Sequence, residues 1–256
     1  MNSKLRDFMF WCLGDFDHIA EIELFSIYHI LYAVVIFGVC ILAALLLNRK
    51  SEQTKDKALR VIAGLIATVY FGDFFFHPFV YDGLNLDKMP FHLCTVLCPM
   101  ILLAQFGKRI KKWKEPVAVF AIVAPLMYIC YPGSALGGVA PWCYKVVQTF
   151  TYHGLLLLWG FLMLTTKRVV LKWKNLWRAL VGIILMVCWA SLGNTLYTSE
   201  AHHYDWFFLT GSTFPFIPSS LMPFVVIALV FAMCATIYGI YFLVLRHCNK
   251  PKKSHH

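Results

Sequence analysis

The sequence predicts an all-α membrane protein that consists of a single bundle of seven transmembrane helices. Two features of its composition support this fold class: 60% of the 256 residues are hydrophobic and only 14% are charged. A soluble domain has about 25% charged residues. The basic residues, which give a net charge of +10, form short clusters between long apolar stretches. This pattern excludes a soluble globular enzyme, a disordered chain and a nucleic-acid-binding module.

Seven apolar stretches account for most of the chain, and each is long enough, or nearly so, to cross a hydrocarbon core as a helix of roughly 20 residues. Helices are expected because backbone polar groups in lipid must find their partners within the same segment. The third and fourth stretches are short, and the fourth is interrupted by Pro125 and ended by Pro132. We place the stretches at about 24–47, 61–81, 90–106, 116–131, 146–165, 176–196 and 223–245.

The loops between these stretches give the chain a direction. Four clusters of Lys and Arg, at 49–60, 108–114, 167–178 and 246–253, hold all but four of the 23 basic residues. The four clusters fall on one side of a seven-span protein, and the positive-inside rule assigns that side to the cytoplasm. We therefore expect an outer N-terminus and a cytoplasmic C-terminus, in a plasma membrane if the host is a prokaryote.

The first 22 residues are not typical of a signal peptide, because acidic residues such as Asp15 and Asp17 interrupt any apolar core. The apolar run 8–11 instead indicates a short amphipathic segment at the outer interface. The predicted organisation is an interfacial segment at 1–22, a transmembrane domain at 23–246 and a basic cytoplasmic tail at 247–256.

Polar residues within the spans share one depth. Ionisable groups in a membrane are costly, so each of them is a functional hypothesis. With the helical rise and the predicted topology, all of them fall in the outer half of the bilayer, about 6–13 Å below its surface. A single histidine near a helix end more often just reaches the interface or bonds a neighbouring helix. The whole set, however, predicts a cavity open to the outer leaflet, lined by His29, Asp73, His77, His92, Cys94, Gln148, His153 and Asn194.

Cys94 and His153 have comparable depths on different spans, and together they form a possible nucleophile and base. An imidazole that accepts the thiol proton lets the thiolate attack an acyl carbonyl and form a thioester. His92 is only two residues from Cys94 and faces another direction on a helix, so it is expected to contact substrate rather than to act as the base. For a lone cysteine in a span, the competing interpretation is ordinary packing.

Two other kinds of site use the same residues. His77, His92, His153, Cys94 and Asp73 are zinc-ligand types, but no short-range ligand spacing accompanies them, so no metal and no cofactor are predicted. A transporter would use Asp73, the only carboxylate deep in a span. Transporter sites lie near the midplane between repeats, whereas this polar level is off-centre. Asp73 is therefore expected to pair with a histidine or to orient one.

The segment Pro90-Phe91-His92-Leu93-Cys94 resembles the P-[LF]-H-L-C segment of the YwaF-like bacterial integral membrane proteins, which are related to the eukaryotic transmembrane protein 164 acyltransferases. Phe25-Ser26-Ile27-Tyr28-His29 looks like that family's F-S-x-x-H, and Thr151-Tyr152-His153-Gly154 looks like its x-x-H-G. The likeness covers about 24–245. Gly193-Asn194-Thr195-Leu196-Tyr197 resembles the family's G-T-N-Y, although Asn and Thr are exchanged here.

The resemblance implies seven membrane helices and, for the eukaryotic relatives, the transfer of a fatty acyl chain between phospholipids. It implies Cys94 as the nucleophile and His153 as its partner. The sequence thus predicts an acyltransferase or lipid-ester hydrolase that acts on a membrane phospholipid or lysophospholipid through an acyl thioester. The alternative is a non-catalytic protein that binds or transports a lipid or small solute in the same cavity. The supporting residues in either case are His92, Asn194, Asp73, His77, His29 and Gln148.

Overall fold

A computed structural model describes residues 22–80, 86–107, 110–132, 140–198, 204–209 and 217–248. Each of the seven apolar stretches corresponds to one α-helix within these ranges. The helices are α1 (Ile27–Asn48), α2 (Glu52–Val80), α3 (Leu93–Phe106), α4 (Lys114–Cys130), α5 (Tyr144–Thr165), α6 (Leu176–Tyr197) and α7 (Met222–Cys248). They belong to two compact units. Unit one ends at Val169 and contains α1–α5, and unit two begins at Val170 and contains α6 and α7.

Five of the seven helices, α1, α2, α5, α6 and α7, are long and apolar enough to cross a membrane. This confirms the prediction of a helical integral membrane protein. The other two are shorter, with 14 residues in α3 and 17 in α4. A count of seven spans, the single bundle, the side of the N-terminus and the identity of the membrane therefore stay predictions. The expected interfacial segment at 1–22 and the tail at 247–256 lie almost entirely outside the described residues.

Pro125 does not interrupt α4, which continues through it from Lys114 to Cys130. Pro99 is likewise inside α3. A proline removes one backbone hydrogen bond, but in a packed membrane protein neighbouring groups and local adjustments can satisfy the carbonyl that it leaves. Pro125 is buried, and so is most of α4. The sequence expectation that Pro125 would break the fourth stretch was therefore wrong.

Helix α5 is the central helix of unit one, because it packs against each of α1, α2, α3 and α4. It approaches α4 closely at Gly160, which faces Ala118 and Ala121: a Cβ on Gly160 would lie 2.8 Å from the Ala118 carbonyl oxygen. Small residues at such contacts let two helix backbones approach closely. Gly154 similarly lies against Ile36 of α1, where a Cβ added to Gly154 would lie 3.1 Å from Cγ1 of Ile36.

Helix α1 is mostly exposed, in contrast to α5. In the most apolar part of α1, 17% of the residues are buried, whereas 67% are buried in the corresponding part of α5. The exposed side chains of α1 are large and apolar, among them Leu31, Val34 and Leu42. An apolar surface of this size fits contact with lipid rather than water. In unit two, α6 and α7 pack against each other, and the Trp173 ring that precedes α6 stacks on Phe242 of α7 with ring centroids 5.5 Å apart.

Candidate functional site

Cys94 lies in the first turn of α3, as the second residue of that helix. The turn begins after Pro90, and His92 is its N-cap residue. The His92 N–H donates to the Thr95 hydroxyl oxygen at 3.1 Å, which is one half of a capping box. Cys94 is half-buried. The H-L-C segment is therefore a helix start, where backbone N–H groups without intrahelical partners concentrate positive potential.

Tyr152 joins this helix start to α5. Its hydroxyl donates a hydrogen bond of 2.7 Å to the carbonyl oxygen of Cys94, and its ring stacks on Tyr70 of α2 with centroids 5.7 Å apart. The next residue of α5 is His153. The structure therefore brings the Cys94 backbone against α5 at the residue immediately before the predicted base.

His153 is buried, with 7% of its surface exposed. Its Nδ1 lies 2.8 Å from the carbonyl oxygen of Thr149, one turn earlier in α5. A carbonyl oxygen only accepts hydrogen bonds, so Nδ1 must carry the proton in the neutral ring. Nε2 is then the acceptor nitrogen, which is the form that a general base requires. The Tyr128 ring of α4 stacks on the imidazole with centroids 3.7 Å apart.

His29 has the opposite arrangement of its ring nitrogens. Its Nδ1 accepts from the Phe25 N–H at 3.0 Å, so Nε2 carries the proton and donates to the Ile129 carbonyl oxygen at 2.7 Å. Both nitrogens are thus used to hold the start of α1 against the end of α4. This geometry favours a structural role for His29, which the sequence nominated as a cavity residue.

A polar network centred on Lys88 lies beside α2 and α5. The Lys88 ammonium is 3.6 Å from Asp73 Oδ2 and donates to Gln148 Oε1 at 3.1 Å. The Tyr144 hydroxyl also hydrogen-bonds to Asp73. The ionic partner that the structure gives Asp73 is therefore a lysine, where the sequence interpretation expected a histidine. The Asp73 carboxylate thus faces the positive charge of a residue that lies between the second and third predicted stretches.

Two other predicted site residues are Asn194, which belongs to unit two, and His77. Asn194 lies in unit two, where its side-chain oxygen accepts from the Trp206 N–H at 2.8 Å and its amide donates to the Trp206 carbonyl oxygen at 3.1 Å. It thereby fixes the segment that follows α6. The His77 side chain lies outside the described residues. Among those that are described, no three His, Cys, Asp or Glu side chains converge on a possible metal position.

Sequence reasoning missed the aromatic residues that hold the site, Tyr70, Tyr128, Tyr144 and Tyr152, as well as Lys88. Aromatic residues in an apolar stretch look like ordinary membrane-helix composition, and nothing in the spacing of Tyr128 marks it as a neighbour of His153. The only usable signal was local: Tyr152 directly precedes His153 in the Thr151-Tyr152-His153-Gly154 segment.

These features define a polytopic helical membrane protein with a half-buried cysteine at a helix start and a buried neutral histidine on the adjoining central helix. The chain belongs to the TMEM164 family, which it matches over residues 24–241. The relation to the transmembrane protein 164 group that the motifs suggested is thereby confirmed. No curated protein and no solved structure matches the chain.

Proposed function

We propose that this protein is a membrane-embedded acyltransferase that moves a fatty acyl chain between phospholipids through a thioester on Cys94. The single observation that carries the proposal is the hydrogen bond of 2.7 Å from the Tyr152 hydroxyl to the Cys94 carbonyl oxygen. This bond fixes the helix start that bears the nucleophile against the helix that bears His153. The resemblance of the H-L-C and H-G segments implies the same roles for the two residues, and membership of the TMEM164 family is compatible with them.

In the first half-reaction, Nε2 of His153 accepts the Cys94 thiol proton and the sulfur attacks the ester carbonyl carbon of a phospholipid. The bond from that carbon to the glycerol oxygen breaks, and His153 passes its proton to the departing oxygen. The products are a lysophospholipid and an acyl thioester on Cys94. The Thr149 carbonyl supports this role, because it holds the proton on Nδ1 and leaves Nε2 as the acceptor.

In the second half-reaction, the hydroxyl of another lysophospholipid attacks the thioester carbonyl and gives its proton to His153. The carbon–sulfur bond breaks, and His153 returns the proton to the sulfur. Water in place of the lipid hydroxyl would make the same enzyme a hydrolase. The apolar surroundings limit water at the site, which favours transfer.

Burial is the largest influence on the Cys94 thiol and disfavours its thiolate, so the proposal requires His153 to take the proton as the sulfur attacks. Two nearby features offset part of this effect of burial. One is the positive end of the α3 dipole, and the other is the Lys88 ammonium, whose field reaches Cys94. His92 and Gln148 are the proposed donors to the oxyanion in unit one.

The remaining sequence predictions complete the proposal: seven spans, an outer N-terminus and a substrate drawn from the outer leaflet. Cysteines introduced at Lys4 and Lys253 test the topology by labelling with a membrane-impermeant thiol reagent. We expect labelling of intact cells at position 4 only. Labelling of both positions from one side would contradict an odd number of spans.

The decisive experiment measures transfer of a labelled acyl chain from a phospholipid to a lysophospholipid by the purified protein in bilayers. Cys94→Ala should abolish transfer, and His153→Asn should lower it by about 10²–10⁴-fold. Cys98→Ala is the matched control, because Cys98 is fully buried one turn further along the same helix. It should retain transfer.

A hydroxylamine-sensitive acyl group on Cys94, detected by mass spectrometry, would support the intermediate directly. Full transfer by Cys94→Ala would overturn the mechanism. The binding or transport alternative predicts the opposite order of severity. Under it Cys94→Ser keeps nearly all binding or transport, and Asp73→Asn abolishes it. Wild-type protein that transfers no acyl group, together with that order of severity, would replace the proposal by the alternative.

A further inference from the structure

The contact between Tyr128 and His153 is closer than ordinary ring packing. The two ring centroids are 3.7 Å apart and the ring planes are 9° from parallel. Neutral aromatic pairs prefer offset or edge-to-face arrangements with centroids about 4.5–7 Å apart, because the negative faces of two rings repel. The second ring beside the imidazole, Tyr152, follows that preference at 5.5 Å and 82°. Tyr128 does not.

A nearly face-to-face stack at this distance suits a cation over a π face. A protonated imidazole has lost the electron-rich character of its own face, and the negative face of a tyrosine ring attracts it. The ring is also held in register from the other direction, because Nδ1 is bonded to the Thr149 carbonyl oxygen at 2.8 Å. That bond persists when Nε2 gains a proton, since Nδ1 donates in both forms.

We infer that Tyr128 is a positioning residue that stabilises the imidazolium form of His153 while it holds the proton taken from Cys94. The inference rests on the proposed function and adds a residue to it that neither the motifs nor the family assignment supplies. It also gives α4 a role, since this helix contributes the face on which the charged ring rests.

The surroundings of His153 make such a stabilising group necessary. The ring is buried, which disfavours its charged form. Two groups from the segment that leads into α3 act on it, the Lys88 ammonium and the His92 ring, and a positive charge on either opposes an imidazolium. Its ring neighbours from α4 and α5, Tyr128 and Tyr152, are neutral at neutral pH.

The two other helices that pack on α5 contribute His29 from α1 and Asp73 from α2. His29 is held by the Ile129 carbonyl oxygen, and Asp73 is paired with Lys88. The described partners of both groups are therefore groups other than the His153 ring. Within the part of the chain that the structure describes, two contacts of the ring favour the imidazolium: the π face of Tyr128 and the carbonyl oxygen of Thr149.

The test compares Tyr128→Phe, which keeps a π face, with Tyr128→Leu, which removes it. Tyr32 provides the matched control, because it stacks on a neutral ring, Phe150, at 4.4 Å and 10°. The first readout is the titration of His153 in isotope-labelled protein by NMR, with the signal assigned from His153→Asn. The second readout is kcat and KM for acyl transfer as a function of pH.

For Tyr128→Leu we expect kcat to fall about 30-fold with KM nearly unchanged, which corresponds to a lost cation–π contact of about 2 kcal/mol. The midpoint of the His153 titration, and the acid limb of the rate profile with it, should move to lower pH by about 1.5 pH units. Tyr128→Phe should stay within about threefold of wild type, because a phenyl face retains most of the attraction. Tyr32→Leu should leave the titration unmoved.

Equal titration midpoints in Tyr128→Leu and Tyr128→Phe would overturn the inference, even if both variants were less stable. Failure of the proposed function gives a different result. In that case wild-type protein transfers no acyl group, while the titration still distinguishes the Leu variant from the Phe variant.

Discussion

Replacement of Gly160 by alanine tests the packing that brings α4 to α5. Gly160 lies seven residues after His153, about 10 Å further along α5 and on the same helical face. The close approach at Gly160 and the stack of Tyr128 on His153 therefore belong to one helix pair. A methyl group that forces these two helices apart at Gly160 should weaken the protein and loosen the stack.

The magnitude follows from three short distances. An alanine Cβ at position 160 would lie 2.8 Å from the Ala118 carbonyl oxygen, 3.0 Å from the Ala121 carbonyl carbon and 3.0 Å from the Ala121 Cβ. Two of these atoms are backbone atoms, so they cannot rotate away, and α4 must move by about 0.5 Å to restore ordinary contacts. Overpacking of this kind costs about 1–3 kcal/mol.

Gly38→Ala is the matched control. A Cβ on Gly38 of α1 has no neighbour within 4 Å, so the substitution adds a methyl group without a clash. Alanine is favoured over glycine in a helix by about 1 kcal/mol, and this gain applies to both substitutions. The difference between the two variants therefore isolates the packing cost, and we expect Gly160→Ala to be about 1–3 kcal/mol less stable than Gly38→Ala.

The assay is reversible unfolding in mixed detergent micelles, with increasing denaturing detergent and helicity as the signal. The titration midpoint of His153 in Gly160→Ala is a second readout. A shift of α4 away from α5 should weaken the contact between Tyr128 and the imidazole and move that midpoint to lower pH. Equal stability of Gly160→Ala and Gly38→Ala would refute the close approach of α4 and α5, and with it the packing argument for the site.

Two further predictions concern the polar contacts of unit one. Lys88→Gln removes the cation beside the Asp73 carboxylate, whose side chain is 6% exposed, and should lower stability by about 2 kcal/mol. The loss is smaller than for a fully buried ion pair, because the Lys88 side chain is 23% exposed. The double variant with Asp73→Asn should recover much of that loss in the same unfolding assay, and additive losses would contradict the pairing. His29→Gln should lower stability by about 2–3 kcal/mol through two lost hydrogen bonds. Its kcat per folded molecule should remain unchanged, so a selective loss of kcat would place His29 in the chemistry.

The amino-acid sequence alone was enough to locate all seven helices and to define the class of protein. Apolar stretches of this length have no alternative to helical structure in lipid, because their backbone polar groups must bond within the segment. The sequence also placed Cys94 and His153 on separate helices. Pro125 was an error, because a rule from soluble helices was applied to a helix whose neighbours surround it. The partner of Asp73 was expected to be a histidine, and the structure gives Lys88 instead.

Tertiary structure decided which helix is central and which side chains meet. In a membrane protein the lipid-facing and protein-facing sides of a helix are both apolar. The sequence patterns of α1 and α5 therefore do not reveal that α5 packs against four neighbouring helices while α1 is mostly exposed. The partners of Asp73 and His153, namely Lys88 and Tyr128, are 15 and 25 residues away along the chain. No periodicity within one helix encodes such contacts. The tautomers of His29 and His153 likewise depend on which backbone groups their ring nitrogens reach, and this becomes determined only when the helices have packed.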